Sequence, residues 1–239
     1  MDDRKKKMRI MSHQAAFEGF AMLVRYDIEA LRGVIDLAER QLKEENKRLE
    51  KRLSQELKKL GDEEARQFAV EWYADDFVRL DEVYPNLQRR GLFLTVMSML
   101  EANLLRTCQT CHQIYEIPLK FKVKKKQGRV IVQAMNYLQK NLTIRDRAFK
   151  SDWLNLQHFW TIRNAFVHNN GIPKKPELQE VTEFCTPIPT IEIDHRRRII
   201  LKEGSVQMVI HVVALFFSVL IDEIRRIEIP PNAEVGNGN

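Results

Sequence analysis

The sequence predicts an all-α fold, an antiparallel helical bundle with a long N-terminal helix and one small β-hairpin before the last helix. Three observations carry this reading. Apolar residues recur at helical spacing along most of the chain. Only 9 Gly and 8 Pro interrupt 239 residues, so there are few helix breakers. Period-two alternation is confined to one stretch, Thr190-Ile191-Glu192-Ile193-Asp194 and Arg198-Ile199-Ile200-Leu201-Lys202 around a polar turn.

Residues 12–60 read as one long helix. They contain no proline and carry apolar positions at Phe17, Phe20, Leu23, Ile28, Leu31, Ile35 and Leu42. From Leu42 onward the stripe narrows to Leu49, Leu53, Leu57 and Leu60 amid charge, the pattern of a helix lying along one partner helix. Gly61 ends it and Asp62 caps the next helix. That second helix runs to about Val83, and Tyr84-Pro85-Asn86 is expected to be a turn, since a residue before proline avoids helical geometry.

A third helix, near Leu87 to Tyr115, turns Leu92, Val96, Met99, Leu100, Leu104 and Leu105 inward and closes at Pro118. Residues 130–141 form a short amphipathic helix. Ser151 is expected to cap the following helix, with Asp152 in its first turn. Asn169-Asn170-Gly171 is a C-capping sequence ahead of Pro173. After the hairpin, Ser205 is expected to cap a last helix ending near Ile227, and residues 230–239 to form a disordered tail.

Composition narrows the class. Apolar residues make up 44%, enough for a packed core. The formal net charge of +6 favours an anionic partner. Met208 to Ile221 is the most apolar run, fourteen residues interrupted by His211 and Ser218. A membrane span needs about 20, so a buried core helix and no membrane partner are expected. No export signal follows Met1-Asp2-Asp3-Arg4, and 3 cysteines make no disulfide framework, so a cytoplasmic location is expected. There is no glycine-rich phosphate loop and no Ser–His–Asp or nucleotide-binding fingerprint, which argues against ATPases and common hydrolases.

The sharpest chemical signal is Thr161-Ile162-Arg163-Asn164-Ala165-Phe166-Val167-His168. On a helix, Asn164 and His168 are i and i+4 and share a face. Arg163 lies off that face, but its long side chain can swing its guanidinium to the same place. His168 falls in the last turn, where the helix dipole favours an imidazolium suited to acid–base work. The arginine offers fixed donors to a phosphate and to the extra charge of a pentacoordinate transition state. An acid or base, a phosphate clamp and an orienting amide suffice to cleave RNA through its own 2′-hydroxyl, with no metal or other cofactor. Taken alone the spacing is short and degenerate, and would otherwise only cap a helix end.

The segment Arg163-Asn164-x-x-x-His168 closely resembles the Arg-x(4–6)-His motif of HEPN (higher eukaryote and prokaryote nucleotide-binding) domains, including the polar residue after the arginine. Met97-Ser98-Met99-Leu100-Glu101-Ala102-Asn103-Leu104-Leu105-Arg106-Thr107-Cys108 looks like the family's preceding core helix, and the hairpin before an apolar terminal helix looks like several of its branches. The resemblance covers about residues 62–227. The chain then divides into a long N-terminal helix over 1–61, a possible partner or dimer contact, an HEPN-like helical domain over 62–229, and the tail.

The resemblance implies a homodimeric endoribonuclease of microbial, including antiviral, defence or of a toxin–antitoxin pair, with a composite site built from two motif helices. It implies catalytic roles for Arg163 and His168 and an orienting role for Asn164. It also implies an antitoxin or defence-system partner protein. In toxins silenced by nucleotidyl transfer a tyrosine follows the histidine by two residues; here that position is Asn170. The alternative is a non-catalytic HEPN adaptor binding a partner protein, a nucleotide or RNA.

Other signals are secondary. Glu101, an acid in an apolar stretch, is a candidate to support Arg163 or His168. Lys120 to Arg129 carries six basic residues and no acidic one, which makes Lys122, Lys124, Lys125 and Lys126 candidates for RNA backbone contacts, together with Arg196, Arg197 and Arg198 at the hairpin turn. Cys108-Gln109-Thr110-Cys111-His112 matches a haem-attachment pattern by letter, but it lies inside a helix and has no fourth ligand pair for zinc, so half-buried helix residues are expected and no metal.

Overall fold

The computed structural model describes residues 3–124, 128–144 and 149–228. It is mostly helical, at 79%, with one two-stranded sheet. Helix α1 (Asp3–Lys59) is followed by α2 (Glu63–Val78), a π-helical turn (Arg79–Val83) and α3 (Tyr84–Ile114). Then come α4 (Val130–Leu142), α5 (Lys150–Asn169) and α6 (Lys175–Cys185), strands β1 (Ile191–Ile193) and β2 (Ile199–Leu201), and α7 (Ser205–Arg225). The disordered tail expected over 230–239 lies outside the described residues.

Local chemistry accounts for most boundaries. Asp62 caps α2 by accepting the Ala65 N–H at 2.7 Å. The expected turn at Tyr84-Pro85-Asn86 is absent, and the chain stays helical. A proline in a regular helix loses one hydrogen bond and pushes its ring against the carbonyl four residues back. Here the π turn opens the ladder immediately upstream, with the Tyr84 N–H bonded to the Arg79 carbonyl. Pro85 thus enters α3 as a first-turn residue, where no N–H donor is required.

Two expected caps also move. The Trp153 N–H bonds the Phe149 carbonyl at 2.8 Å, so α5 starts two residues early and Ser151 lies within its first turn. Ser205 is buried inside the first turn of α7, behind Gly204 at φ +83°. Helix α6 is absent from the sequence reading. Pro176 in its first turn and the inward Val181 and Cys185, four apart, are what form it.

The hairpin is antiparallel, with Ile191 opposite Leu201 and Ile193 opposite Ile199. Ile191, Ile199 and Leu201 are buried. Helix α7, 21 residues with mean hydropathy 2.0, is apolar and long enough by composition to cross a membrane, and half of that stretch is buried within the protein.

The fold contains two compact units. The first comprises the described residues of Met1–Glu29, Met97–Leu156 and His211–Asn239. Phe17, Val24, Leu104, Met135, Leu138 and Phe216 are among its buried side chains. The Phe149 and Trp153 rings contact Phe216, and the Tyr115 hydroxyl donates to the Ile224 carbonyl at 2.8 Å. Glu18 and Arg225 form a two-pronged ion pair, at 2.8 and 2.6 Å, and the hydrogen bonds from Arg225 hold the Glu18 carboxyl below its ordinary range.

The second unit comprises Ala30–Val96 and Gln157–Ile210. Its aromatic centre is Phe93, edge-on to both Phe159 and Phe166. Beside it, Arg89 grips the buried Glu39 through two 2.7 Å bonds. On α1 the inward stripe is narrower than expected. Phe17, Phe20, Ile28 and Ile35 are buried, whereas Leu23 is 61% exposed.

Candidate functional site

The last two turns of α5 display the motif. Asn164 and Arg163 are half-buried and His168 is exposed. The Arg163 side chain folds back along the helix, its Nη1 donating to Asn164 Oδ1 at 3.2 Å. Its guanidinium lies over the ring of Trp160, 5.2 Å from the centroid. A neutral amide and an aromatic face therefore restrain the arginine, and no carboxylate among the described residues pairs with it. Such a guanidinium has N–H groups left to offer an incoming anion.

Packing on the opposite side keeps the helix in place. Ile162 and Ala165 are buried, Phe166 is half-buried, and Val167 is 45% exposed.

The chain after His168 is tightly held. Asn170 (φ +48°) and Gly171 (φ +85°) are both left-handed, and the Gly171 N–H returns to the Ala165 carbonyl at 2.9 Å. This satisfies a carbonyl that the helix end would otherwise leave bare. A side chain at Gly171 would place its Cβ 3.1 Å from Arg90 Nη2 and 3.2 Å from the Phe166 ring. Arg90 lies against that spot. It donates to Asn170 Oδ1 and to the Ile199 carbonyl, both at 3.2 Å, and its guanidinium stands 5.1 Å over the Phe166 ring. Burial holds the Arg90 pKa below its ordinary value. The Ile199 N–H donates to the Gly171 carbonyl at 2.9 Å, which ties the hairpin to the end of the motif helix.

The basic candidates divide. Arg196 and Arg197 are exposed at the hairpin turn, in the same unit as the motif. Arg198 is committed to Asp194, with Nε on Oδ2 at 2.8 Å. Asp194 also accepts the backbone N–H groups of Arg198 and Arg196, and these bonds, that from the Arg198 N–H foremost, hold its carboxyl below the usual range. Lys122 and Lys124 are exposed in the other unit, where the amide of Gln133 clasps the Lys124 backbone. Lys125 and Lys126 lie outside the described residues. Glu101 is half-buried on α3 and belongs to the first unit, whereas Arg163 and His168 belong to the second.

Cys108 and Cys111 are fully buried rather than half-buried, and burial pushes the Cys108 thiol up to about 12 and Cys111 higher still. His112 Nδ1 is occupied by the Ile117 carbonyl at 2.7 Å. Among the described residues no three His, Cys, Asp or Glu side chains gather as a metal site.

Two residues that shape this geometry, Trp160 and Arg90, escape the sequence reading. Trp160 precedes Arg163 by three residues, a spacing that could have flagged it. Arg90 is about 80 residues away along the chain, and no local pattern announces it. No family model, curated protein or solved structure matches this chain.

Proposed function

We propose that the chain is a metal-independent endoribonuclease of HEPN type, acting on RNA at a site completed by a second copy. The observation that carries this is a half-buried Arg163 guanidinium, restrained by Asn164 and Trp160 with no carboxylate partner among the described residues, on the same helix as the exposed His168. In this reading a His168 imidazole takes the proton of the 2′-hydroxyl, whose oxygen then attacks the adjacent phosphorus. The 5′-oxygen leaves with a proton from the acid that a second motif supplies. The products are a 2′,3′-cyclic phosphate and a 5′-hydroxyl end. Arg163 N–H groups stabilise the charge gathered on the phosphoryl oxygens, and Asn164 orients Arg163.

Arg196 and Arg197 contact flanking phosphates, with Lys122, Lys124, Lys125 and Lys126 as further contacts. Arg198 contributes less, since Asp194 already neutralises it. Glu101 has only a supporting role in this reading. A role in microbial defence or in a toxin–antitoxin pair, with a neutralising partner protein, follows from the resemblance of the motif. The second reading is a non-catalytic HEPN adaptor in which the motif is structural, favoured by the Arg163 guanidinium folding back onto Asn164 and Trp160.

The test is cleavage of RNA in EDTA by the wild type beside His168→Ala and Arg163→Ala. His168→Ala should slow cleavage about 10²–10⁴-fold, and Arg163→Ala should cost about 3–4 kcal/mol of transition-state stabilisation. The double variant should be little worse than either single one, because both groups serve one step. RNA carrying a 2′-deoxy sugar at the scissile nucleotide must resist. Full-rate cleavage by His168→Ala, or an absolute need for added divalent metal, overturns the mechanism and favours the adaptor.

A further inference from the structure

The hairpin formed by the end of α1 and by α2 cannot bury its own apolar residues. The two helices run antiparallel: Asn46 donates to Asp81 at 2.7 Å, and nearer the tip Arg66 donates to the Leu60 carbonyl at 3.1 Å. Leu53, Leu57 and Leu60 on α1 are only half-buried, and Ala69 is the one buried residue of α2. Phe68 and Trp72 are 66% and 74% exposed, their ring centroids 6.4 Å apart. Two clefts flank the pair. One, of about 740 Å³, is floored by Leu60, Phe68 and Trp72; the other, of about 520 Å³, by Leu53, Leu57 and Phe77. Two large aromatic side chains on one helix face are the usual anchor of an interface, not of a free surface.

Charge identifies the occupant. Over the last turns of α1, Lys47, Arg48, Lys51, Arg52, Lys58 and Lys59 outnumber Glu50 and Glu56. On α2, Glu63, Glu64, Glu71, Asp75 and Asp76 stand against Arg66 alone. One arm is therefore basic, the other acidic, and both have apolar surface to cover. A single foreign helix would match one arm and leave the other. A second copy of the hairpin, related by a two-fold axis, sets each acidic arm against the partner's basic arm and brings Phe68 and Trp72 onto apolar surface. We propose that two copies of this chain associate through the α1–α2 hairpins as a four-helix contact, with Phe68 and Trp72 as its anchors. The proposal rests on the hairpin alone and stands whether or not the chain cleaves RNA.

Sedimentation equilibrium on the full chain tests it with two charge-reversed variants, one carrying Glu64→Lys, Glu71→Lys and Asp75→Lys, the other Lys51→Glu, Arg52→Glu and Lys58→Glu. All six positions are exposed, so helicity by circular dichroism should be unchanged. The wild type should be dimeric at micromolar concentration and each reversed variant monomeric. An equimolar mixture of the two variants should regain the dimer. Trp72→Ala should weaken association at least about 30-fold, as expected for an interface anchor. A wild type that stays monomeric at tens of micromolar, reversed variants that dimerise like the wild type, or a mixture that remains monomeric would each overturn the proposal.

Discussion

Arg90 offers the most direct probe of how the motif helix is held. Replacing it with methionine keeps much of its volume and removes three contacts: the bonds to Asn170 Oδ1 and to the Ile199 carbonyl, and the face of Phe166. At 3.2 Å each hydrogen bond is at the long end of the normal range, so about 1 kcal/mol apiece is appropriate. The ring contact adds about 0.5–1 kcal/mol. Arg90→Met should therefore destabilise the fold by about 2.5–3 kcal/mol.

Gly171→Ala attacks the same place from the other side. A left-handed alanine costs about 1–2 kcal/mol, and its Cβ displaces Arg90 Nη2 or the Phe166 ring. Because that displacement already weakens the Arg90 bonds, the double variant should be less destabilised than the sum of the singles by about 1 kcal/mol. Urea unfolding followed by circular dichroism measures all three. If RNA cleavage is assayed in parallel, both variants should lower kcat with little change in KM, since neither residue is proposed to touch RNA. A loss below 1 kcal/mol for Arg90→Met, or strict additivity in the double variant, would refute the claim that Arg90 fixes the end of the motif helix.

Other outcomes follow from the same geometry. Arg89→Met leaves the buried Glu39 carboxylate without its cation and should cost about 3–5 kcal/mol, whereas Arg89→Met with Glu39→Met should cost clearly less; thermal unfolding distinguishes the two. Neutralising Lys122, Lys124, Lys125 and Lys126 should weaken RNA binding and flatten its salt dependence without changing the rate at saturating RNA, as read from affinities across a salt series. Burial lifts the Cys185 thiol to about 11 and the Cys108 thiol to about 12, so at pH 8 no more than about one Cys185 in a thousand is thiolate and alkylation should proceed only after unfolding. These raised folded values mean that the stability they represent is complete below the unfolded thiol pKa of about 8.5 and is lost as pH climbs from there through about 11–12, which a series of denaturation midpoints at alkaline pH would show.

Much of this molecule is legible where one short segment decides the outcome. The Asp62 cap, the left-handed close at Asn170-Gly171 and the hairpin of Ile191–Ile193 with Ile199–Leu201 all follow from a few neighbouring residues. The place of Arg163, Asn164 and His168 near the end of one helix is legible for the same reason. Expectations failed where a rule about one residue met a compensating neighbour. Pro85 forbids a regular helix, but the wider turn before it removes the conflict. Ser151 is the second residue of α5 and Ser205 the first of α7, so each already lies inside the helix it was expected to cap. Helix α6 carried a readable signal in Pro176, Val181 and Cys185, obscured by the prolines on either side of its start. The contribution of Arg90 could not be read from sequence, because it depends on a strand and a helix end brought together only by folding.

The π turn at Arg79–Val83 has one further consequence. A π turn amounts to one residue inserted into a helix without breaking it, and one residue advances the helix by about 100° of rotation. That single step sets the azimuth of α2 relative to α3. Deleting one residue from this segment would return Pro85 to the interior of a regular helix, where its ring collides with a carbonyl. It would also swing Phe68 and Trp72 roughly a quarter-turn around the helix axis. The direction in which the aromatic pair points is thus set more than ten residues downstream of Phe68, in a stretch that itself buries nothing. Substitutions within that stretch should be tolerated far better than a change in its length.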